Sequence, residues 1–297
     1  SYEAENPWCE EIRDGIDSVL RNRCDVQYVY MDTKKNIESG LEKAKEAYGL
    51  YQQLRPDGVI AVDDNAQSMF VTAYLKEKVK TPVIFCAVNE APSKYGYPAT
   101  NETGVLERNF IGQSIAFAKQ LIPSIRTIGF LVKESPSGRA ILKQVESEYH
   151  DYLAEVTEFK LVQTIQKALA EIEVFKKTSD LLFLGATNGI LDTEGQPLNN
   201  EQVTQIVAKA FGKPMIGAND FHVRNGVLCA VVKSGQAQGK IAAEMLVQTM
   251  DGTPVSEIPI RVNKYGKRML NVTVMESLGI RPRRRALIGT ELIKKNE

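Results

Sequence analysis

Between Asp57 and Val88 the chain twice runs through a short apolar segment and breaks off into polar residues. The first run, Gly58-Val-Ile-Ala-Val62, ends at Asp63-Asp64-Asn65. The second, Pro82-Val-Ile-Phe-Cys-Ala-Val88, ends at Asn89-Glu90, and a helix-like stretch from about Ala66 to Lys78 lies between them. Apolar runs this short, alternating with amphipathic segments, predict buried parallel strands joined by crossover helices. In open parallel sheets ligands sit beyond the carboxyl ends of the strands, so the same pattern says where a site should be sought.

The alternation holds along the whole chain. A helix is expected at Pro7–Leu20, with Asn6 as N-cap and Pro7 in its first position. Val26–Met31 reads as a strand, and Ile37–Leu54 as a helix stopped by Arg55-Pro56. Tyr95–Thr103 is a loop rich in Gly, Pro and Asn, and Phe110–Leu121 is a helix ended by Pro123. Strand and helix then alternate again, with strands at 127–132, 158–162, 180–184, 214–217, 227–232 and 258–262. The fold class is α/β: two Rossmann-like lobes with parallel sheets. The expected division is about 1–108 with 233–256, and 109–232 with 257–297, with return of the C-terminal tail to the first lobe as the alternative, and the crossovers lying near Arg108–Phe110, Val231–Lys233 and Glu257–Ile260. The chain opens on a loop and a helix with no strand before them, so Ser1-Tyr2 reads as the exit of a strand lying upstream. Lys294-Lys-Asn-Glu297 reads as a C-terminus.

Lys plus Arg equals Asp plus Glu, 37 each, which argues against a dominant nucleic-acid or anionic-membrane surface. The basic cluster at Arg281–Arg285 reads as a solvated tail. No apolar run approaches the ~20 residues that span a bilayer. Cys9, Cys24, Cys86 and Cys229 form no CxxC pair, and Cys86 and Cys229 lie in apolar strands as small buried hydrophobes. His150 and His222 are the only histidines, and a His-based metal site or triad would need more partners than the residues around them offer. Phosphate-binding, nucleophile-elbow and zinc-hydrolase motifs are absent from the sequence. No cofactor, no metal and no catalytic residue is expected.

Six strand exits carry polar clusters, and these supply the candidate ligand contacts. They are Tyr2 with Trp8 just beyond it; Asp63, Asp64 and Asn65; Asn89; Glu134, Ser135 and Ser137; Thr187 and Asn188; and Asn219 with Asp220. Asp, Asn and Ser at such places also cap the helices that follow. Asp63, Asp64 and Asp220 suit an amine, and Trp8 supplies a flat apolar wall.

Residues spread along the whole chain resemble one family. Ser1-Tyr2, Pro7-Trp8, Ile12 and Gly15-Ile16 are similar to its opening, and Tyr30-Met-Asp-Thr-Lys-Lys-Asn36 and Pro56-Asp57 through Asn65-Ala66 to its next two motifs. Pro82–Phe85, Thr103–Glu107, Leu121–Pro123, Gly226, Ser234-Gly235, Gln238-Gly239, Ala242-Ala243 and Gly252 continue the match, and Asn271 and Leu278-Gly279-Ile280 close it. The chain thus resembles the ABC-transporter substrate-binding proteins related to tryptophan/tyrosine-type binding proteins, a group that includes sensor segments of histidine kinases.

The resemblance implies a type I periplasmic-binding-protein fold, with hinge crossovers and lobes that close on a small polar or zwitterionic molecule, an amino acid among the options. It implies a membrane permease as partner, a monomer, no nucleic acid, and a periplasmic or lipid-anchored extracytoplasmic location reached with a signal peptide. The alternative within the resemblance is a ligand-sensing input domain of a receptor or histidine kinase. An α/β enzyme with Glu134 or Asp220 as acid or base has no motif in its favour.

Overall fold

The computed structural model describes residues 1–33, 35–264 and 266–294. The expected C-terminal reading at 294–297 falls largely on residues 295–297, outside the described ones. The chain divides into two compact units, Ser1–Arg108 with Ser234–Tyr265, and Asn109–Lys233 with Gly266–Glu297.

In the first unit, α1 (Pro7–Leu20) begins as the sequence predicts: Asn6 Oδ1 accepts the Trp8 amide at 3.0 Å, and Pro7 occupies the first position. α1 buries Ile12, Ile16 and Leu20 against α10 (Gly235–Met250). α2 (Gly40–Leu54) ends at Arg55 in the left-handed region, before Pro56. The sheet runs β1 (Val59–Val62), β2 (Val83–Val88), β3 (Glu102–Leu106) and β11 (Arg261–Val262), all parallel. Between β1 and β2 the helix expected from about Ala66 to Lys78 is a short α3 (Asp64–Ala66) that widens into a π-helical stretch, Gln67–Leu75. α4 (Pro92–Tyr95) follows β2.

The register of β2 with β3 shifts between Phe85 and Val88, where Ala87 takes a φ of 56°. The displaced Ala87 amide donates to Gln238 Oε1 of α10 at 3.2 Å, inside the core. A buried glutamine thus satisfies the polar group that the bulge frees, and the bend re-aims the strand end at Asn89-Glu90. Gln67 is a second fully buried glutamine: its Nε2 donates to Ala61 O at 3.0 Å and its Oε1 accepts from the Tyr97 hydroxyl at 2.8 Å.

The second unit holds a seven-stranded sheet in the order β13 (Thr290–Ile293), β12 (Lys267–Asn271), β10 (Cys229–Val232), β9 (Met215–Gly217), β6 (Leu181–Gly185), β4 (Thr127–Lys133), β5 (Glu155–Val162). Only the β10–β12 pair is antiparallel. α5 (Ile111–Leu121) and α6 (Pro136–Glu148) pack on one core, and α7 (Ile165–Thr178) and α8 (Asn200–Phe211) on another. α9 (Asp220–Arg224), α11 (Val272–Ser277) and a two-stranded ribbon of β7 (Ile190–Leu191) and β8 (Pro197–Leu198) complete it.

Several expectations need correction. Val26–Met31 lies in no ladder and has no regular secondary structure. Residues 257–264 belong with the first unit, because β11 pairs with β3. The chain therefore crosses between units at 108/109, 233/234 and 265/266, and Glu257–Ile260 is not a crossover. β3, β12 and β13 are strands that the sequence did not announce. Cys86 and Cys229 are fully buried, as expected.

Glu102, at the start of β3, is 1% exposed, and neither carboxylate oxygen finds a hydrogen-bond partner among the described residues. Burial pushes its pKa up to about 7, against the opposing pull of Lys76. Between pH 4.5 and 7 the folded chain therefore holds a proton that the unfolded chain has released, so stability falls as pH rises through this window. Urea titrations should show about 3 kcal/mol lost from pH 4.5 to pH 8 through this group. Glu102→Gln should remove that loss, and an unchanged pH profile in the variant would assign it elsewhere.

Candidate functional site

The carboxyl end of β1 turns sharply. Asp63 has φ 79° and ψ 160°, a backbone conformation that a non-glycine residue holds only when its surroundings fix it. Three groups fix it here: its amide donates to Cys86 O at 2.9 Å, its Oδ1 accepts the Asn65 amide at 3.1 Å, and the Tyr2 hydroxyl donates to its carboxylate. The side chain is almost enclosed, 6% exposed. Burial pushes its pKa up, while the Tyr2 hydroxyl, the Asn65 amide and the nearby Ser1 ammonium pull the other way. Burial and the Asp63 charge together push the Tyr2 phenol above its ordinary value.

Asp64, the next residue, does a different job. Its Oδ2 accepts the Asn89 amide at 3.0 Å, and its Oδ1 accepts the Glu90 amide at 3.2 Å and the Tyr95 hydroxyl at 2.8 Å. One carboxylate thus ties the loop after β1 to the loop after β2 and to α4. Asn65 Nδ2 donates to Thr33 Oγ1 at 3.0 Å. The Asn89 side chain is exposed, and Arg108 Nη1 donates to the Asn89 carbonyl at 2.8 Å. Trp8 is half-buried at the margin of the α1–α10 core. The first unit therefore brings Tyr2, Asp63, Asp64, Asn65 and Asn89 together at its strand ends.

In the second unit the predicted residues divide. Ser135 caps α6, its Oγ accepting the Gly138 amide at 3.1 Å. Glu134 pairs with Arg139 at 2.7 Å, and Ser137 is exposed. Thr187 is fully buried, with its hydroxyl donating to Asn200 Oδ1 at 2.8 Å. Asn188 is exposed, and its carbonyl accepts Lys133 Nζ at 3.0 Å. The Asn219 amide donates to His222 Nδ1 at 3.3 Å. Asp220 is exposed beyond β9 with Arg224 Nε 3.5 Å away. His222 is fully buried, and burial pushes its pKa down to about 3.

A family model for ABC transporter substrate binding proteins matches residues 5–290. The chain belongs to that family. No curated protein matches its sequence. Among solved structures it resembles a ligand-free, open substrate-binding protein with adhesive properties from Clostridium difficile, at 18% identity over 98% of this chain and 97% of the other, with a TM-score of 0.75. It also resembles an ABC domain from Streptococcus pneumonia in complex with L-Trp, at 22% identity over 97% of each chain, TM-score 0.62. A periplasmic ribose ABC transporter protein from Conexibacter woesei matches at 14% identity over 94% and 92% of the two chains, TM-score 0.54. The fold is the type I periplasmic-binding-protein fold.

Sequence reasoning overlooked several residues that shape the strand-end loops of this substrate-binding protein. Tyr95 and Thr33 hold Asp64 and Asn65 in place, and Arg108 clamps the carbonyls of Val88, Asn89 and Glu107 at 3.3, 2.8 and 2.6 Å. Tyr95 lies in a segment that reads as plain loop. Arg108 lies at a chain crossing, where only the fold gives it a partner. No described helix is long and apolar enough to cross a membrane.

Proposed function

We propose that this substrate-binding protein captures a small zwitterionic or polar molecule carrying an amine, outside the cytoplasm, and delivers it unaltered to a membrane permease. The observation that carries the amine is Asp63: a nearly buried carboxylate held at a strand end in a strained backbone, with a hydroxyl and an amide already donating to it. Such a group keeps a lone pair for an ammonium and costs little reorganisation when one arrives. Tyr2 beside it adds a hydroxyl and an aromatic face. The L-Trp held by a structural relative supports testing amino acids first. Membership of a family of binding proteins supports delivery without turnover.

Asp220 is the corresponding candidate on the second unit, exposed and lightly held by Arg224. Asp220→Ala should weaken capture of the ligand by about tenfold in calorimetry while changing stability by less than about 0.5 kcal/mol. Unchanged affinity would remove Asp220 from the site. The proposal as a whole is tested by binding assays on amino acids, sugars, nucleosides and small carboxylates, with recovery of the bound compound unchanged.

A further inference from the structure

The basic run Arg281-Pro-Arg-Arg-Arg285 takes no part in the strand-end site. It lies in the second unit, between α11 and β13. All four arginines are exposed, and among the described residues none of them has an ion-pair or side-chain hydrogen-bond partner. No acidic residue occurs from Ser277 to Thr290. The nearest on either side are Glu276 and Glu291, and Glu291 is already taken by Arg224 and Lys267. Four like charges this close repel one another, and an anionic partner removes that repulsion.

The run is nonetheless built into the fold. Ile280 and Leu287 pack against a core of the second unit, and Ala286 is buried in it. Arg284–Leu287 form a single 3₁₀ turn, with the Ala286 amide donating to Arg283 O at 2.9 Å. From β12, Arg268 braces this turn: its Nη2 donates to Ala286 O at 3.3 Å, and its guanidinium lies 4.1 Å from the Phe117 ring of α5. The exposed guanidiniums therefore project from an ordered turn, and little chain ordering remains to oppose binding. Directly after them Ile288 is 72% exposed, more than any other large hydrophobic side chain among the described residues. Gly289 then turns the chain with a φ of 69°. The turn thus carries an apolar tip beside four unpaired cations.

We propose that this turn docks on the surface of an anionic phospholipid bilayer, with Arg281, Arg283, Arg284 and Arg285 on headgroup phosphates and Ile288 at the boundary between headgroups and acyl chains. Guanidinium donors match phosphate oxygens in pairs. Basic residues clustered at a membrane surface contribute charge by charge, and an apolar side chain beside them adds burial. An acidic protein surface would meet the charges too. A stable protein interface, however, buries about 800 Å² per partner around an apolar centre, and one isoleucine beside four arginines does not make such a centre. Nucleic acid would leave Ile288 without a use, and the run carries no aromatic side chain on which bases could stack. The chain as a whole has no net charge, so the attraction is local to this turn and reaches only ~10 Å at 0.1 M salt. The inference needs nothing from the ligand assignment above, since none of these residues belongs to the strand-end site.

The test is co-sedimentation with vesicles. Phosphatidylcholine vesicles containing about 40% phosphatidylglycerol should bind the chain at least about 30-fold more tightly than pure phosphatidylcholine at low salt. Raising the salt to about 0.5 M should weaken that binding at least about tenfold. Arg283→Gln, Arg284→Gln and Arg285→Gln together should cost about 100-fold, and Ile288→Ser about fivefold. Both variants should keep the parent Tm, because the altered side chains are exposed. Equal binding to the two vesicle types, or full binding by either variant, would overturn the proposal. So would binding to duplex DNA or to a polyglutamate peptide that is as tight as binding to the vesicles and as dependent on the arginines, which would make the partner a nucleic acid or an acidic protein.

Discussion

Gly239→Ala and Gly15→Ala should each cost the first unit more than about 3 kcal/mol, among the largest losses of any single methyl in this chain. A Cβ on Gly239 would stand 2.0 Å from Ile12 O, and one on Gly15 would stand 2.1 Å from Gln236 O. Both obstacles are backbone atoms, so no rotamer change relieves them. α1 and α10 must separate, and the core of Ile12, Ile16, Ala242, Ala243 and Leu246 opens with them. Gly49, in the interior of α2 with nothing within 4 Å of its Cβ position, is the control. Gly49→Ala should stabilise the chain by about 0.5–1 kcal/mol through helix propensity alone. Urea midpoints for the three variants separate the two effects. A Gly239→Ala midpoint close to that of Gly49→Ala would refute the close helix crossing.

Asp63→Asn should weaken ligand capture by about 30-fold or more, equivalent to at least about 2 kcal/mol. Asparagine keeps the size of the side chain and one acceptor for the Asn65 amide, and it tolerates positive φ. What it removes is the charge that meets an ammonium. Asp64→Asn provides the contrast. Its carboxylate accepts two backbone amides and a tyrosine hydroxyl on two oxygens, and an amide offers only one oxygen. The expected result is about 1–3 kcal/mol of lost stability and faster exchange at the Asn89 and Glu90 amides, with a smaller effect on affinity. Calorimetry and exchange on the two variants show which of these neighbours binds and which braces. If Asp64→Asn lost affinity as Asp63→Asn did while keeping its stability, the two roles would have to be shared.

The contrast between Asp63 and Asp64 marks how far the sequence could be read. Both stand at the end of the same apolar run, and nothing in the letters separates a buried, strained carboxylate from a loop brace. The α/β class, α1 with its Asn6 cap and the exits of β1 and β2 were legible, because they rest on local periodicity and capping chemistry. β3 was not, since Glu102-Thr-Gly-Val-Leu106 carries a buried glutamate and a glycine and becomes a strand only between β2 and β11. β12 was hidden for a related reason: Lys267-Arg268 opens it, and its pairing with β10 is the one antiparallel step in its sheet. The opposite error occurred at Val26–Met31, whose strand-like residues have no neighbour on the ladder. Thr187 and Ser135 sit where ligand contacts were expected, yet their hydroxyls are committed to Asn200 and to the first turn of α6. Capping and binding draw on the same residue types, so only geometry separates them.

The most direct test of the central claim is a thermal-shift screen of the ligand-stripped protein against amino acids, sugars, nucleosides and small carboxylates, followed by analysis of the recovered compound. A ligand at 100 times its Kd adds about 2.7 kcal/mol to the folded state. The account predicts a clear rise in Tm with an amine-bearing compound, recovered chemically unchanged. Stabilisation only by compounds that lack an amine, or conversion of the bound compound, would contradict it.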